Sequence, residues 1–392
     1  MSWDIIGMGA VANLGDSPGA VFEALCASRE SRAPLRAFDR TRYRGGYAYE
    51  IDDRPADGAD EPLRATRWLT TAIRQALADA GLDEGLGRIP VLVGTTLREQ
   101  RSAELWWREG TALDPAALHF GPALGAAFGA EDAHTFANAC SASLGALALG
   151  TDLLALGMAD TVVVAGSDSM TESAFGTLDR VQNEIPRALR PFDTTHKGML
   201  MGEGAVAVVL RRSADTADTA DDTDGTGPAR QRAPRVHARL RSVGVNCDAR
   251  HATAPDAEGI DWVVREAHRR AGLGPADVDL VMCHGSGTPR NDETEAAVLG
   301  RIFPGSGGPL MTAIKSLTGH TLGGSGLLSL VMGVLAARHQ TVPPVHGLTE
   351  PIPEAAGLRL VRGAAVAAAP RIVQVNAFGL GGINAVAMVE AA

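Results

Sequence analysis

Four polar clusters stand out in this chain of 392 residues. Cys140 sits in Ala137-Asn138-Ala139-Cys140-Ser141-Ala142-Ser143, just ahead of an apolar run that begins at Leu144. That spacing places the thiol at or just before a helix N-terminus, where free N–H groups and the helix dipole favour thiolate over thiol. Downstream come Cys283-His284-Gly285-Ser286-Gly287-Thr288, then Lys315 to His320, then Asn376-Ala377-Phe378-Gly379-Leu380-Gly381-Gly382. A cysteine, two histidines and a glycine-rich loop are the parts of a covalent acyl-transfer site.

Each part has a plainer reading. A lone cysteine is more often a small buried hydrophobe than a nucleophile; the place of Cys140 before a helix, together with the distant histidines, shifts that balance. Cys283 closes an apolar strand and Cys26 lies on a helix, so both read as core, and Cys247 has no supporting context. His284 ends a strand beside glycine and hydroxyl residues, which suits a site better than packing. His320 lies in a stretch too glycine-rich and polar to be packing alone. His134, His237, His251, His268, His339 and His346 read as solvated. Only Lys197 and Lys315 are lysine among 36 basic residues. Lys315, five residues before His320, stands where a compact ammonium is wanted rather than a planar fork.

Composition bounds the function. The net charge is 36 − 46 = −10, and five aspartates between positions 215 and 224 supply half of it, which argues against nucleic acid as the main partner. No C-x-x-C pair is present, so no metal site is expected. Sparse cysteines point to a reducing cytoplasm. Met1-Ser2-Trp3-Asp4-Ile5-Ile6 reads as a first strand, not a signal peptide. The apolar stretch 144–166 is interrupted by Asp152 and Asp160 and fails as a membrane span. Gly7-Met8-Gly9-Ala10-Val11-Ala12 matches a dinucleotide fingerprint, but the next helix starts only at Pro18, with Ser17 as its cap, so a tight turn is the better reading.

Positioning these groups requires an α/β scaffold. Helices are expected over 66–80, 144–156, 261–271 and 327–338, and strands over 89–96, 161–165, 204–210, 236–244 and 278–285. The pattern repeats: Cys140 and His320 each precede an apolar helix, and 89–96 parallels 278–285. Residues 213–234 are acidic, of low complexity, and expected to be a flexible loop. The chain thus divides into 1–212, which bears the cysteine, 213–234, and 235–392, which bears both histidines.

Taken together, five ordered motifs resemble the β-ketoacyl-acyl carrier protein synthases of the thiolase-like condensing-enzyme superfamily, of the Cys-His-His type. Asn138 to Ser143 is similar to T-A-C-x-x-S, and Arg190-Pro191-Phe192-Asp193 with Met201 to Ala205 to R-P-F-D…M-G-E-G-A. His284 to Asp292 with Glu295 resembles H-G-T-x-T-x-x-x-D-x-x-E. Lys315 to Gly326 resembles K-S-x-x-G-H-x-x-G-x-x-G, and Asn376 to Asn384 resembles N-S-F-G-F-G-G-T-N.

The resemblance implies a thiolase-like fold: two pseudo-repeated α/β halves layered αβαβα. It implies that Cys140 carries an acyl chain and that the backbone N–H groups of Cys140 and Leu380 form an oxyanion hole. His284 and His320 would hold a malonyl thioester during decarboxylation. Lys315 would organise them with Glu295 as its ionic partner, and Asp292 would support the site. Ser286 and Thr288 would bind the phosphopantetheine arm. Phe378 and Leu380 occupy gate positions, with Leu380 replacing the usual second Phe. The expected partner is an acyl carrier protein, whose acidic surface would dock on Arg64, Arg67 and Arg74. No cofactor of its own is expected.

The implied enzyme is an acyltransferase of fatty-acid or, slightly favoured, type II polyketide biosynthesis. It would be cytoplasmic, and a homodimer or a heterodimer with a chain-length-factor-like subunit. Two other readings stay open: a non-decarboxylating acyltransferase, and a partner subunit that shapes a heterodimer's tunnel.

Overall fold

The computed structural model describes residues 2–56, 58–213, 235–305 and 307–392. The acidic stretch read as a loop lies, apart from Ser213, outside the described residues. Eleven strands form one mixed sheet. Across it run Arg359–Leu360, Leu310–Thr312, Leu280–Met282, Ile372–Gly379, Ile383–Ala391 and Ala238–Cys247, then Trp3–Ala12, Gly204–Arg212, Thr161–Asp168, Val91–Gly94 and Ala133–Phe136.

This order contains the same unit twice. Trp3–Ala12 and Ala238–Cys247 meet at the centre, antiparallel, with Trp3 opposite Leu240 and Ile5 opposite Ala238. Outward from each comes the last strand of its half, antiparallel, then the fourth, antiparallel again. The second and third strands follow, both parallel. Arg359–Leu360 is an extra edge strand on one side.

Where both faces of a half-sheet are covered, the strands are continuously apolar instead of alternating. Thr161–Asp168 is buried at every position after Thr161. Between the half-sheets lie two helices, Ala142–Ala155 and Ser325–His339. They share one core through Leu144, Leu147, Leu327, Leu330 and Val331. Ser325–His339 is buried all round from Ser325 to Ala336, as expected of a central helix with no solvent face. The segment Leu322–His339 has the length and mean hydropathy (1.2) of a membrane span, but 83% of it is inside the protein. Arg64–Asp79 covers the outside of the first half through Trp68, Leu69, Ile73 and Leu77. Ala257–Ala271 and Pro289–Ile302 cover the second through Val263, Val264 and Leu299. The result is the five-layer αβαβα arrangement. Truncating a side chain such as Leu330, fully buried in the central helix, would cost about 2–5 kcal/mol.

Two expectations are corrected here. The glycines of Gly7-Met8-Gly9 form no turn: they lie inside the strand Trp3–Ala12. A Cβ on Gly7 would sit 2.1 Å from the Ala76 carbonyl oxygen, and one on Gly9 1.9 Å from that of Ala72. The glycines let the helix Arg64–Asp79 seat directly on the strand. His237 and His268 are not solvated but buried. Ser17 does cap the helix Pro18–Cys26, accepting from the Ala20 N–H.

Candidate active site

Cys140 and His320 occupy equivalent places, each in the turn that follows the third strand of its half and enters a central helix. On one side a single 3-10 turn, Ala139–Ser141, runs into Ala142–Ala155. Ala139 adopts φ +50°, a conformation that costs a non-glycine residue energy and persists where the surroundings enforce it. The enforcing contact is Ser141, whose Oγ donates to the Ile383 carbonyl at 2.9 Å. This draws the Gly379–Ile383 turn over the thiol, and the N–H groups of Leu380 and of Cys140 itself reach the sulfur.

Close backbone packing sets the height of both turns. A Cβ on Gly94 would lie 2.3 Å from the Ser143 nitrogen, one on Gly323 2.5 Å from Thr95, and one on Gly166 2.8 Å from the Gly324 Cα. The two helix entries therefore rest on strand ends with no side chain between. Asp168 completes this seam. It accepts from the Thr95 hydroxyl (2.7 Å), from the N–H groups of Thr96 and Leu97, and, across the seam, from the Gly323 N–H at 2.7 Å.

The two imidazoles meet edge to face, 5.4 Å between centroids. His284 Nδ1 accepts from the Phe378 N–H at 3.3 Å, and His320 Nδ1 from the Leu322 N–H at 3.2 Å. Because each Nδ1 accepts, each ring carries its proton on Nε2. The Nε2 of His320 is buried without a protein partner among the described residues, a position that costs free energy unless a substrate acceptor fills it. Burial and the Lys315 ammonium push both histidines well below their ordinary pKa, with His320 adding to the effect on His284. Both are therefore neutral N–H donors at neutral pH.

Lys315 is itself buried and opens a one-turn helix, Lys315–Thr318. Its Nζ donates to the His284 carbonyl at 2.6 Å, and burial pushes it down to about 8 against the pull of Glu295. Glu295 is the first charge that stabilises the ammonium, acting through space and not through a salt bridge. Glu295 makes no direct contact with the ammonium; it accepts from the N–H groups of His284 (2.7 Å) and Gly285 (2.8 Å) and from the Asn376 amide (3.0 Å). Lysine and glutamate thus grip the two ends of one residue, His284.

Asp292 accepts from the N–H groups of Phe192 (2.9 Å) and Gly287 (3.2 Å), and His196 Nδ1 lies 3.2 Å from its carboxylate. This holds the Gly285–Thr288 turn, in which the Ser286 and Thr288 hydroxyls share a hydrogen bond of 2.8 Å. Cys140, His284, His320, Ser286, Thr288 and Phe378 line a single cavity of about 70 Å³, and Leu380 stands at its edge, 51% exposed. Two larger surface grooves, of about 510 and 530 Å³, contain none of these residues.

The thiolate expected from sequence is corrected. Burial pushes the Cys140 thiol up to about 11, outweighing the Lys315 ammonium and the two N–H groups. Arg64 is also corrected as a docking residue: it is buried, paired with Asp53 (2.6 Å), Asp60 (3.0 Å) and Glu203 (3.1 Å), and stacked on Trp68. Arg67 and Arg74 keep exposed heads, engaged by Glu61 and Glu84.

Three participants had been passed over in the sequence: Asp168, His196 and Met199, the last of which lines the cavity. A carboxylate at the end of an apolar strand was the available signal for Asp168. His196 and Met199 lay in plain view, between two halves of one motif.

Comparison with known proteins identifies the family. Residues 4–216 match the family model for the β-ketoacyl synthase N-terminal domain and 237–349 that for its C-terminal domain. The chain is 28% identical to 3-oxoacyl-(acyl-carrier-protein) synthase 2 of Coxiella burnetii, over 97% of this chain and 96% of that one. It is 31% identical to a putative polyketide beta-ketoacyl synthase 1 of Streptomyces cyaneus, over 89% of each. Among solved structures, the ishigamide ketosynthase/chain length factor superposes with a TM-score of 0.87 at 28% identity, covering 100% of this chain and 99% of that one. With both domain models matched in order and the fold shared end to end, the chain belongs to the β-ketoacyl synthase family.

Proposed function

We propose that this chain joins an acyl group held on Cys140 to a malonyl-type unit by decarboxylative Claisen condensation, both substrates arriving as carrier thioesters. The observation that carries this reading is the convergence of Cys140 with two Nε2–H donors, from His284 and His320, on one cavity.

In the first half-reaction the Cys140 sulfur attacks the acyl thioester carbonyl. The carrier thiolate leaves and takes the proton that Cys140 gives up. The resulting oxyanion would face the N–H groups of Cys140 and Leu380. In the second, the C–C bond to the malonyl carboxylate breaks and carbon dioxide departs. Its electron pair becomes an enolate whose oxygen would accept from both imidazoles. The enolate carbon attacks the acyl-Cys140 carbonyl, and collapse expels the sulfur, which regains a proton. Neutral donors suit this chemistry, because they strengthen as negative charge develops and do not bind the ground state as tightly.

The carbon chemistry asks for no group beyond the substrates' own carrier arm, which would pass the Ser286 and Thr288 hydroxyls. The partner is read as an acyl carrier protein, the substrate carrier in the name of the Coxiella relative. The likeness to the ishigamide ketosynthase/chain length factor and to the Streptomyces polyketide relative favours polyketide synthesis, with a chain-length-factor-like partner subunit.

The test is intact-mass analysis after incubation with acyl-carrier thioesters, followed by malonyl-carrier. An adduct on Cys140, then carbon dioxide and an extended product, is expected. An adduct without carbon dioxide would assign the chain to simple acyl transfer; no adduct from any acyl chain would sink both readings.

A further inference from the structure

A line of buried polar side chains leaves the site through an otherwise apolar layer. It begins at His268, on the outer helix Ala257–Ala271, whose Nε2 lies 2.7 Å from the Gln374 Oε1. Gln374 Nε2 donates to Asn376 Oδ1 at 2.8 Å, and Asn376 Nδ2 donates to Glu295 at 3.0 Å. Glu295 then holds the N–H groups of His284 and Gly285. Gln374, Asn376 and Glu295 have no exposed surface, and His268 is 4% exposed. Their surroundings are the apolar cluster that includes Val264, Ala267, Val281, Leu299 and Phe303.

The direction of this chain is fixed from its inner end. An ionised Glu295 only accepts, so Asn376 must turn its amide nitrogen toward it. The Asn376 oxygen then faces Gln374 and needs a donor, which turns the Gln374 oxygen toward His268. His268 must therefore carry its proton on Nε2. Reversing either amide breaks two bonds at once, and inside an apolar layer each broken bond leaves a group without water to replace its partner. Gln374 and Asn376 are two apart on one strand and face the same layer; apolar residues there would pack without any such requirement. None of the four lines the cavity.

We infer that His268 and Gln374 are positioning residues for His284, acting through Asn376 and Glu295 to hold the backbone that aims its Nε2–H at the substrate. This rests on the condensation reading above and extends it to residues that do not touch the cavity. It assigns His268 and Gln374 to the enolate-forming half-reaction, in which His284 acts, and not to acylation of Cys140.

The experiment compares both half-reactions in the full-length protein: acyl loading of Cys140 by intact mass, and carbon dioxide release from malonyl-carrier by the loaded enzyme. His268→Leu and Gln374→Leu are expected to slow the second about tenfold while changing the first less than about twofold, because a misaimed donor costs only the step that uses it. His268→Gln, which keeps an N–H donor, is expected to recover most of the loss. A variant that merely unfolds in part would lower both rates by one factor, so their ratio isolates the positioning effect. An unchanged ratio in both leucine variants, or a His268→Gln as slow as His268→Leu, would overturn the inference. Failure of the wild-type protein to load or decarboxylate would instead overturn the condensation reading.

Discussion

The half that bears Cys140 and the half that bears the histidines use one device in two ways. In each, the turn after the second strand offers successive N–H groups to a buried carboxylate. In the first half Thr96 and Leu97 give theirs to Asp168; in the second His284 and Gly285 give theirs to Glu295. Asp168 comes from a strand end and reaches across to Gly323 of the other half, whereas Glu295 comes from a helix of its own half. One carboxylate ties the halves together; the other serves a single histidine. Burial acts on both halves in the same sense. It raises the acids, Cys140 to about 11 and Asp168 to about 6, and lowers the bases, Lys315 to about 8 and both imidazoles further. A duplicated scaffold has supplied equivalent positions, and the proposed condensation would use one as nucleophile and the other as charge stabiliser.

The strongest way to break this comparison is Cys140→Ala. No acyl adduct should form by mass spectrometry, while the circular dichroism spectrum is retained; an adduct elsewhere would remove the thiol from its role. His320→Ala should lower condensation by about 10²–10³-fold, the scale of a lost oxyanion donor, and leave Cys140 loading within a few-fold. If loading falls equally, the division of labour between the halves is wrong.

The two carboxylates should separate next. Glu295→Gln is expected to slow carbon dioxide release about tenfold with little change in loading. Asp168→Asn should instead lower stability in urea by about 2 kcal/mol, because buried N–H groups lose an acceptor, and slow both half-reactions together. Equal profiles for the two variants would erase the distinction.

The effect of burial on Cys140 is tested by pH. A thiol titrating near 11 has more reactive thiolate as pH rises, so alkylation of Cys140 by iodoacetamide should climb about tenfold per pH unit from 7. Above about 8 Lys315 loses its proton, withdraws its pull on the sulfur, and the climb should flatten somewhat. A plateau already reached at pH 7 would mean that the helix entry, not burial, governs the thiol. The smallest effect is expected from Leu380→Phe, a change of a few-fold in preference along an acyl chain-length series, read by competitive loading; an unchanged preference would count against Leu380 as a gate.

Much of this site was legible because its reactive groups lie in short local motifs. Cys140, His284 and His320 announced themselves through glycines and hydroxyls beside strand and helix ends, and the duplicated order followed from matching apolar runs. What stayed hidden depends on burial or on distant pairing. Arg64 reads as a surface cation until Asp53, Asp60 and Glu203 close around it. Gly7 and Gly9 read as a turn because the helix seated on them begins over fifty residues later. A helix entry suggests a thiolate, but the burial that opposes it is a property of the assembled layers. His268 is indistinguishable by sequence from a solvated histidine; only the fold places Gln374 opposite it.

The glycine contacts at Gly94, Gly166 and Gly323 carry a consequence for descent with modification. Main chain resting on main chain sets the separation of thiol and imidazole, so that spacing does not depend on the size of any neighbouring side chain. Met199 and Leu380, which line the cavity, take no part in these main-chain contacts. A methyl group at any of these three glycines would push a helix entry off its strand.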